Sequence, residues 1–277
     1  MATLGASEKR IRWLIAVPMA LLAISCIYPL VFAFNVALKS KRDYILNRFS
    51  LVADATFDNF RLAWVQAKLA DYFVNSLTVT VGAVALLLLV SSLAGYALAS
   101  LRFPYRRAVF LVLLAALMIP VQVVLVPFYR TMIATGLVDT RIGLILAYTA
   151  FFLPFSIYLM TAFYARLPRE LIEAAKIDGA SLLAIWWHVM LPLGKPALFT
   201  LGILNTLYCW NDLLISLLVL QSRRTLMVGI AALRGEYTTN VPMLAAGVVL
   251  AALPIVVIYV IFQRRIVAGI AVGAVKG

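Results

Sequence analysis

Charge is scarce in this chain and acid is scarcer: 13% of its 277 residues are charged, with 11 Asp and Glu against 24 Lys and Arg. A soluble domain carries about 25% charged and 45–50% apolar residues, whereas hydrophobic residues here reach 65%. Water is therefore excluded as the main solvent for most of the surface. The two cysteines, Cys26 and Cys209, each lie inside an apolar stretch, which excludes a disulfide framework and a cysteine metal cluster. The single histidine, His188, has no Cys or His neighbour and reads as an interfacial loop residue, not a ligand or an acid/base group. A phosphate-cradling Gly-x-x-x-x-Gly-Lys-Ser/Thr loop is missing, because Gly194-Lys195 is followed by Pro196 and lacks the upstream glycine. With no nucleophile motif or paired-carboxylate site either, no enzyme activity, metal or cofactor is expected in the chain itself.

What the chain has is long apolar runs. A helix needs about 20 mostly apolar residues to cross a bilayer core of roughly 30 Å. Six segments meet that length: Trp13 to Phe34, Tyr72 to Leu101, Ala108 to Tyr129, Ile142 to Ala165, Pro196 to Leu220 and Val241 to Gln263. Only the fifth contains an ionisable acid or base, Asp212. The expected fold is all-α and membrane-integral, with a six-helix domain over 13–265, an N-terminal segment 1–12 and a C-terminal tail 266–277. Pro18, Pro29, Pro120, Pro127, Pro154 and Pro254 predict kinks instead of breaks, since membrane neighbours can satisfy the freed carbonyls. The first run is longer than the apolar region of a cleavable signal peptide and is read as a retained helix.

The formal charge of +13 would suit a nucleic acid, but the bases fall in short clusters between apolar blocks. Membrane lipid is the expected partner, and nucleic acid is not. Six spans put both termini on one side, and 13 of the 24 bases fall there, a weak excess that favours cytoplasmic termini. Two connections are too long to be turns. The first, 35–71, is expected to pack as short helices on the outer face, with Tyr44, Phe49, Phe57 and Trp64 as anchors. The other, 166–195, lies on the opposite side.

Within that second connection, Pro168 suits a first helical turn, and Glu170 and Glu173 complement the helix N-terminal end. Ile172, Ala175 and Ala180 share a face, Asp178-Gly179 supplies a stop, and Ser181 is placed to cap a second helix over Leu182 to Met190. Helix, glycine turn, helix and proline make a compact knob suited to a groove in a soluble partner. An ordinary surface-lying loop has the same pattern, so the residues alone leave both readings open.

The string Glu173-Ala174-Ala175, two residues, Asp178-Gly179-Ala180 and a spacer to Leu191-Pro192 resembles the EAA loop of ABC importer permeases. The likeness is to the carbohydrate-uptake type, similar to the maltose permeases. It runs from about Asn75 to Gly277 and includes Trp210-Asn211-Asp212 and the terminal Gly273-Ala274-Val275-Lys276-Gly277. The resemblance implies a type I permease in a bacterial inner membrane, with cytoplasmic termini. It also implies two separate ATPase subunits that hold ATP and Mg, a second and different permease, and an extracytoplasmic solute-binding protein. The implied coupling residues are Glu170, Glu173, Ala174, Ala175, Asp178, Gly179, Ala180 and Pro192, with Glu173 paired to a basic ATPase residue and Gly179 holding the turn. Gly273 and Lys276 would contact the ATPase through the tail, and the outer connection 221–241 would face the binding protein.

Asn205, Tyr208, Asp212 and Ser216 recur at three and four, which predicts one polar stripe along the fifth span. Such a stripe faces a wet cavity or a helix neighbour, not lipid. Carbohydrate needs amide, hydroxyl, carboxylate and aromatic partners, and Asn205, Tyr208, Trp210, Asn211 and Asp212 supply those types as the candidate substrate path. Helix-to-helix hydrogen bonding explains the stripe equally. Two other classes fit six spans: an ion-coupled secondary transporter, for which Asp212 is a thin basis, and a membrane scaffold or receptor subunit.

Overall fold

Apolar runs of this length fold as helices because a bilayer leaves backbone groups no other partner. The computed structural model describes the backbone of residues 6–236 and 240–274 and the side chains of 12–235 and 240–263. In chain order the helices are α1 (Ala6–Ala37), α2 (Lys41–Leu46), α3 (Asp58–Arg61, continued by a π turn Leu62–Gln66), α4 (Leu69–Ser100), α5 (Arg106–Leu117), α6 (Val121–Ala134) and α7 (Arg141–Tyr164). They continue as α8 (Glu170–Ile177), α9 (Leu182–Ile185, continued by a π turn Trp186–Met190), α10 (Leu191–Leu193), α11 (Lys195–Asn211), α12 (Leu214–Val219), α13 (Leu226–Glu236) and α14 (Val241–Ala274). No strand occurs among the described residues. Four helices are long and apolar enough to cross a membrane, or six if each of two bent pairs is one span. The protein is an all-α, multi-pass membrane protein.

Two compact units divide the chain, Met1–Ala70 with Ile230–Pro254 and Asp71–Gly229 with Ile255–Gly277. In the first, the connection after α1 folds on polar pins. The Asn59 amide donates to the carbonyls of Ala37 and Lys39, both at 2.8 Å, and the fully buried Lys39 ammonium donates to the Asn47 carbonyl and the Ser50 hydroxyl. Burying a cation is costly unless such acceptors meet it. The 35–71 connection thus contains the short helices α2 and α3.

The second unit departs from the expected spans in two places. The third span was expected to run unbroken from Ala108 to Tyr129 with a kink at Pro120; instead α5 and α6 meet at 105°. Pro120 is extended (φ −60°, ψ 131°), has no N–H to continue the ladder and restricts the residue before it. The fifth span was expected from Pro196 to Leu220, but α11 stops at Asn211, and Asp212 is extended (φ −68°, ψ 131°). Its carboxylate accepts from the N–H of Ser216 at 2.8 Å, meeting a first-turn donor of α12, so the chain starts a new helix after Leu213 instead of prolonging α11. The C-terminal boundary at 265/266 also carries no structural break, since α14 runs on to Ala274. Gly273 belongs to that helix, and Lys276 lies outside the described residues.

Candidate coupling loop and substrate path

The connection 166–195 folds as helix, turn and helix for local reasons. Glu170 and Glu173 occupy the first turn of α8 and Lys176 its last, each matched to the helix dipole. Gly179 takes φ +77°, the left-handed geometry that costs glycine nothing. Around it the N–H of Ala180 donates to the Ala175 carbonyl and that of Gly179 to Lys176, both at 3.0 Å, closing a Schellman motif. Ser181 then caps α9 by accepting from the N–H of Ala184 at 3.2 Å.

One face of this hairpin is packed inward. Ile172, Ile185, Trp186 and Met190 are buried with Tyr96, Ala99, Met160 and Tyr164, and Ala175 and Ala180 lie against the same cluster. A buried polar link reinforces it: Trp186 Nε1 donates to Ser92 Oγ at 2.9 Å, and Ser92 Oγ shares a hydrogen bond with Tyr164 Oη at 3.0 Å. The second helix is thereby tied to both α4 and α7. Gly194 packs so closely under Tyr164 that an added Cβ would lie 2.6 Å from its hydroxyl. The sequence reading missed Ser92, Tyr164, Trp186 and Gly194; a serine and a tyrosine within apolar runs carry no spacing signal that pairs them.

The other face is bare. Ile177 is 87% exposed, Leu183 64% and Trp187 56%, and Glu170, Glu173, Ala174, Asp178 and Gly179 stand exposed beside them. Pro192 is exposed in α10. An apolar ridge rimmed by carboxylates has the make-up of a protein contact surface.

The polar residues of the fifth span are not one stripe, because α11 ends before Asp212. Asn205 is buried and its amide donates to Ser156 Oγ of α7 at 3.0 Å, a helix-to-helix bond; its Oδ1 is buried with no hydrogen-bond partner. Trp210 is buried edge-on against Phe73 at 5.4 Å. Asp212 accepts from the hydroxyl of buried Tyr148 at 3.0 Å and from the N–H of Ser216 in α12 at 2.8 Å. Tyr208 is half exposed and stacked on Phe152 at 5.5 Å, and Asn211 is exposed, its amide turned to the Leu207 carbonyl. The five path candidates thus separate: Tyr208, Asn211 and the partly exposed Asp212 border accessible space, whereas Asn205 and Trp210 pack inside. Among the described residues no group of three His, Cys, Asp or Glu is placed to hold a metal.

A multi-pass α-helical membrane protein with a helix-turn-helix between its spans, exposed on one face and hydrogen-bonded to the neighbouring helices on the other, is the class this geometry defines. Residues 88–272 match the family of binding-protein-dependent transport system inner membrane components, and the chain belongs to that family. It is 35% identical to the melibiose/raffinose/stachyose import permease protein MelC of Bacillus subtilis, over 93% of this chain and 94% of that one. It is 36% identical to the arabinooligosaccharides transport system permease protein AraQ of Halalkalibacterium halodurans, over 96% of each. Similarity to the diacetylchitobiose uptake system permease protein NgcG of Streptomyces coelicolor is 34% over 98% and 91%. The fold matches a solved bacterial ABC transporter involved in import of the acidic polysaccharide alginate, with TM-score 0.84, 23% identity and coverage of 95% of this chain and 99% of that one. The chain is a permease component of an ABC importer.

Proposed function

We propose that this permease passes a sugar or oligosaccharide, and that the outward face of residues 170–190 docks in a cleft of a separate ATPase subunit that carries the ATP and Mg. The substrate class is carried by one observation: three relatives matched over at least nine-tenths of their length are permeases whose names specify oligosaccharides. Coupling is supported by the two-faced loop. Partner closure on Ile177, Leu183 and Glu173 would displace a body whose inner face is buried and hydrogen-bonded to α4 and α7 through Trp186, Ser92 and Tyr164. Close-packed interiors transmit displacement without absorbing it, so the spans move with the loop.

The complete importer then contains two ATPase subunits, a second and different permease, and a solute-binding protein that meets the opposite side near 221–241. The termini and the loop 166–195 face the cytoplasm. Tyr208, Asn211 and Asp212 supply an aromatic face, an amide and a carboxylate to the passing solute, and Asn205 and Trp210 hold the helices that present them. Reconstituting the complex with its binding protein and measuring ATP hydrolysis against a panel of oligosaccharides tests this reading. Stimulation by one sugar class is expected; stimulation only by a non-carbohydrate solute would overturn the substrate assignment, and transport with no ATPase bound would overturn the coupling.

A further inference from the structure

A groove of about 1270 Å³ lies in the second unit, walled by α4, α7, α11 and α14. That exceeds the roughly 300–1,000 Å³ of ordinary small-molecule pockets. Its walls are hydrocarbon and aromatic, among them Leu88, Leu159, Phe163 and Phe262. Both of its threonine hydroxyls are turned away, Thr200 donating to the Pro196 carbonyl at 3.1 Å and Thr206 to the Gly202 carbonyl at 2.7 Å, which leaves the Tyr158 hydroxyl among the wall groups. A sugar would find few partners here, whereas an alkyl chain needs none.

The cations sit at one end. Arg166, just past α7, and Lys195, the first residue of α11, both line the groove and are exposed. From Lys195 the groove follows α11 to Thr206, eleven residues or about 16 Å at 1.5 Å per residue. This is close to half of the roughly 30 Å hydrocarbon core, the depth of one leaflet. Basic residues at the membrane surface attract anionic headgroups, which their long side chains reach from the helix ends.

We propose that this groove is a binding site for one anionic phospholipid of the surrounding bilayer, its phosphate on Arg166 and Lys195 and an acyl chain laid along α11 between Leu88 and Phe262. The site is independent of the transported solute. It makes the leaflet's anionic content a determinant of how α7 and α11 are held against α14.

The test uses the full chain taken from vesicles of equimolar phosphatidylglycerol and phosphatidylcholine, with lipid surviving a detergent wash counted by native mass spectrometry. One phosphatidylglycerol per chain is expected, preferred over phosphatidylcholine at least tenfold. Arg166→Gln with Lys195→Gln should abolish the preference in a chain that still elutes as a monodisperse species. Gly202→Ala, whose Cβ would sit at ordinary contact 3.6 Å from Leu88 Cδ1, should retain the lipid, and Gly202→Leu, filling the groove, should lose it. Equal retention of the two lipids, or undiminished phosphatidylglycerol in the double charge variant, overturns the proposal. So does a cysteine at Thr206 that crosslinks, in the assembled importer, to another protein chain occupying the groove.

Discussion

Two glycines frame the coupling loop, and the structure gives them opposite environments. A Cβ on Gly179 would meet nothing within 4 Å, whereas on Gly194 it would lie 2.6 Å from the Tyr164 hydroxyl and 3.0 Å from the Met190 carbonyl oxygen. Gly179→Leu therefore costs the isolated chain only backbone strain at φ +77°, about 1–2 kcal/mol. Gly194→Leu adds a collision with backbone and a buried tyrosine, about 1–3 kcal/mol or more of overpacking. Purified alone, the Gly179 variant should elute as a monodisperse species with near-normal thermal stability, and the Gly194 variant should be visibly destabilised. On the proposed docking, the ranking at Gly179 should reverse in the assembled importer, because the ATPase would fill the space left open in this chain. Uptake should fall at least tenfold and the ATPase should no longer co-purify. A Gly179→Leu chain that keeps both normal uptake and bound ATPase would refute the docking geometry.

Glu173→Lys places a cation on the exposed ridge without touching the core, so insertion should be normal and ATPase retention in pull-down should be lost. Trp186→Phe keeps an aromatic ring but deletes the donor to Ser92; a stability loss of about 1–3 kcal/mol is expected, with ATP hydrolysis less tightly coupled to uptake in proteoliposomes. Tyr208→Ala removes an exposed ring stacked on Phe152 and should raise the apparent KM for solute while assembly persists, which transport kinetics would show. In the connection between α6 and α7, Asp139 (φ +58°) accepts from the Ser222 hydroxyl and from the N–H groups of Gln221 and Ser222. The Ser222 hydroxyl bond, aided by those backbone bonds against desolvation, holds its carboxyl below the usual carboxylate range. A depressed folded pKa gives stability that is present above the unfolded value, near 4, and lost as pH falls through the folded one. Protection of the 221 and 222 amides, meaning exchange relative to the intrinsic rate at each pH, should be flat from about pH 7 to 5 and fall below about 4. Asp139→Asn should abolish that acid dependence.

Much of this architecture is written in short-range chemistry. The apolar runs announce helices because lipid allows little else, and Asp178-Gly179 with Ser181 announces a C-cap followed by an N-cap. Asn205 and Trp210 were equally visible as residue types, yet their burial depends on Ser156 and Phe73, which are distant in sequence. The break at Asp212 was hidden by its own pattern: spacing of three and four reads as one helix, but an aspartate just ahead of a new helix can accept from its first-turn N–H groups instead of joining the old one. At Pro120 a kink and a right-angle break differ only in whether Met118 and Ile119 continue the ladder, which packing decides. The link of Trp186 to Ser92 and Tyr164 joins residues 94 and 72 positions apart and leaves no local trace.

Ile177, at 87% exposure the barest large apolar side chain on the loop, offers the most direct measurement. With Cys26 and Cys209 replaced and a cysteine placed at Ile177, a membrane-impermeant maleimide is applied from each side of oriented vesicles, with and without the ATPase subunit. We expect labelling from the cytoplasmic side alone, abolished when the ATPase is bound. Labelling from the outer side, or labelling indifferent to the ATPase, would contradict the assignment of this loop as the point where the importer's motor takes hold.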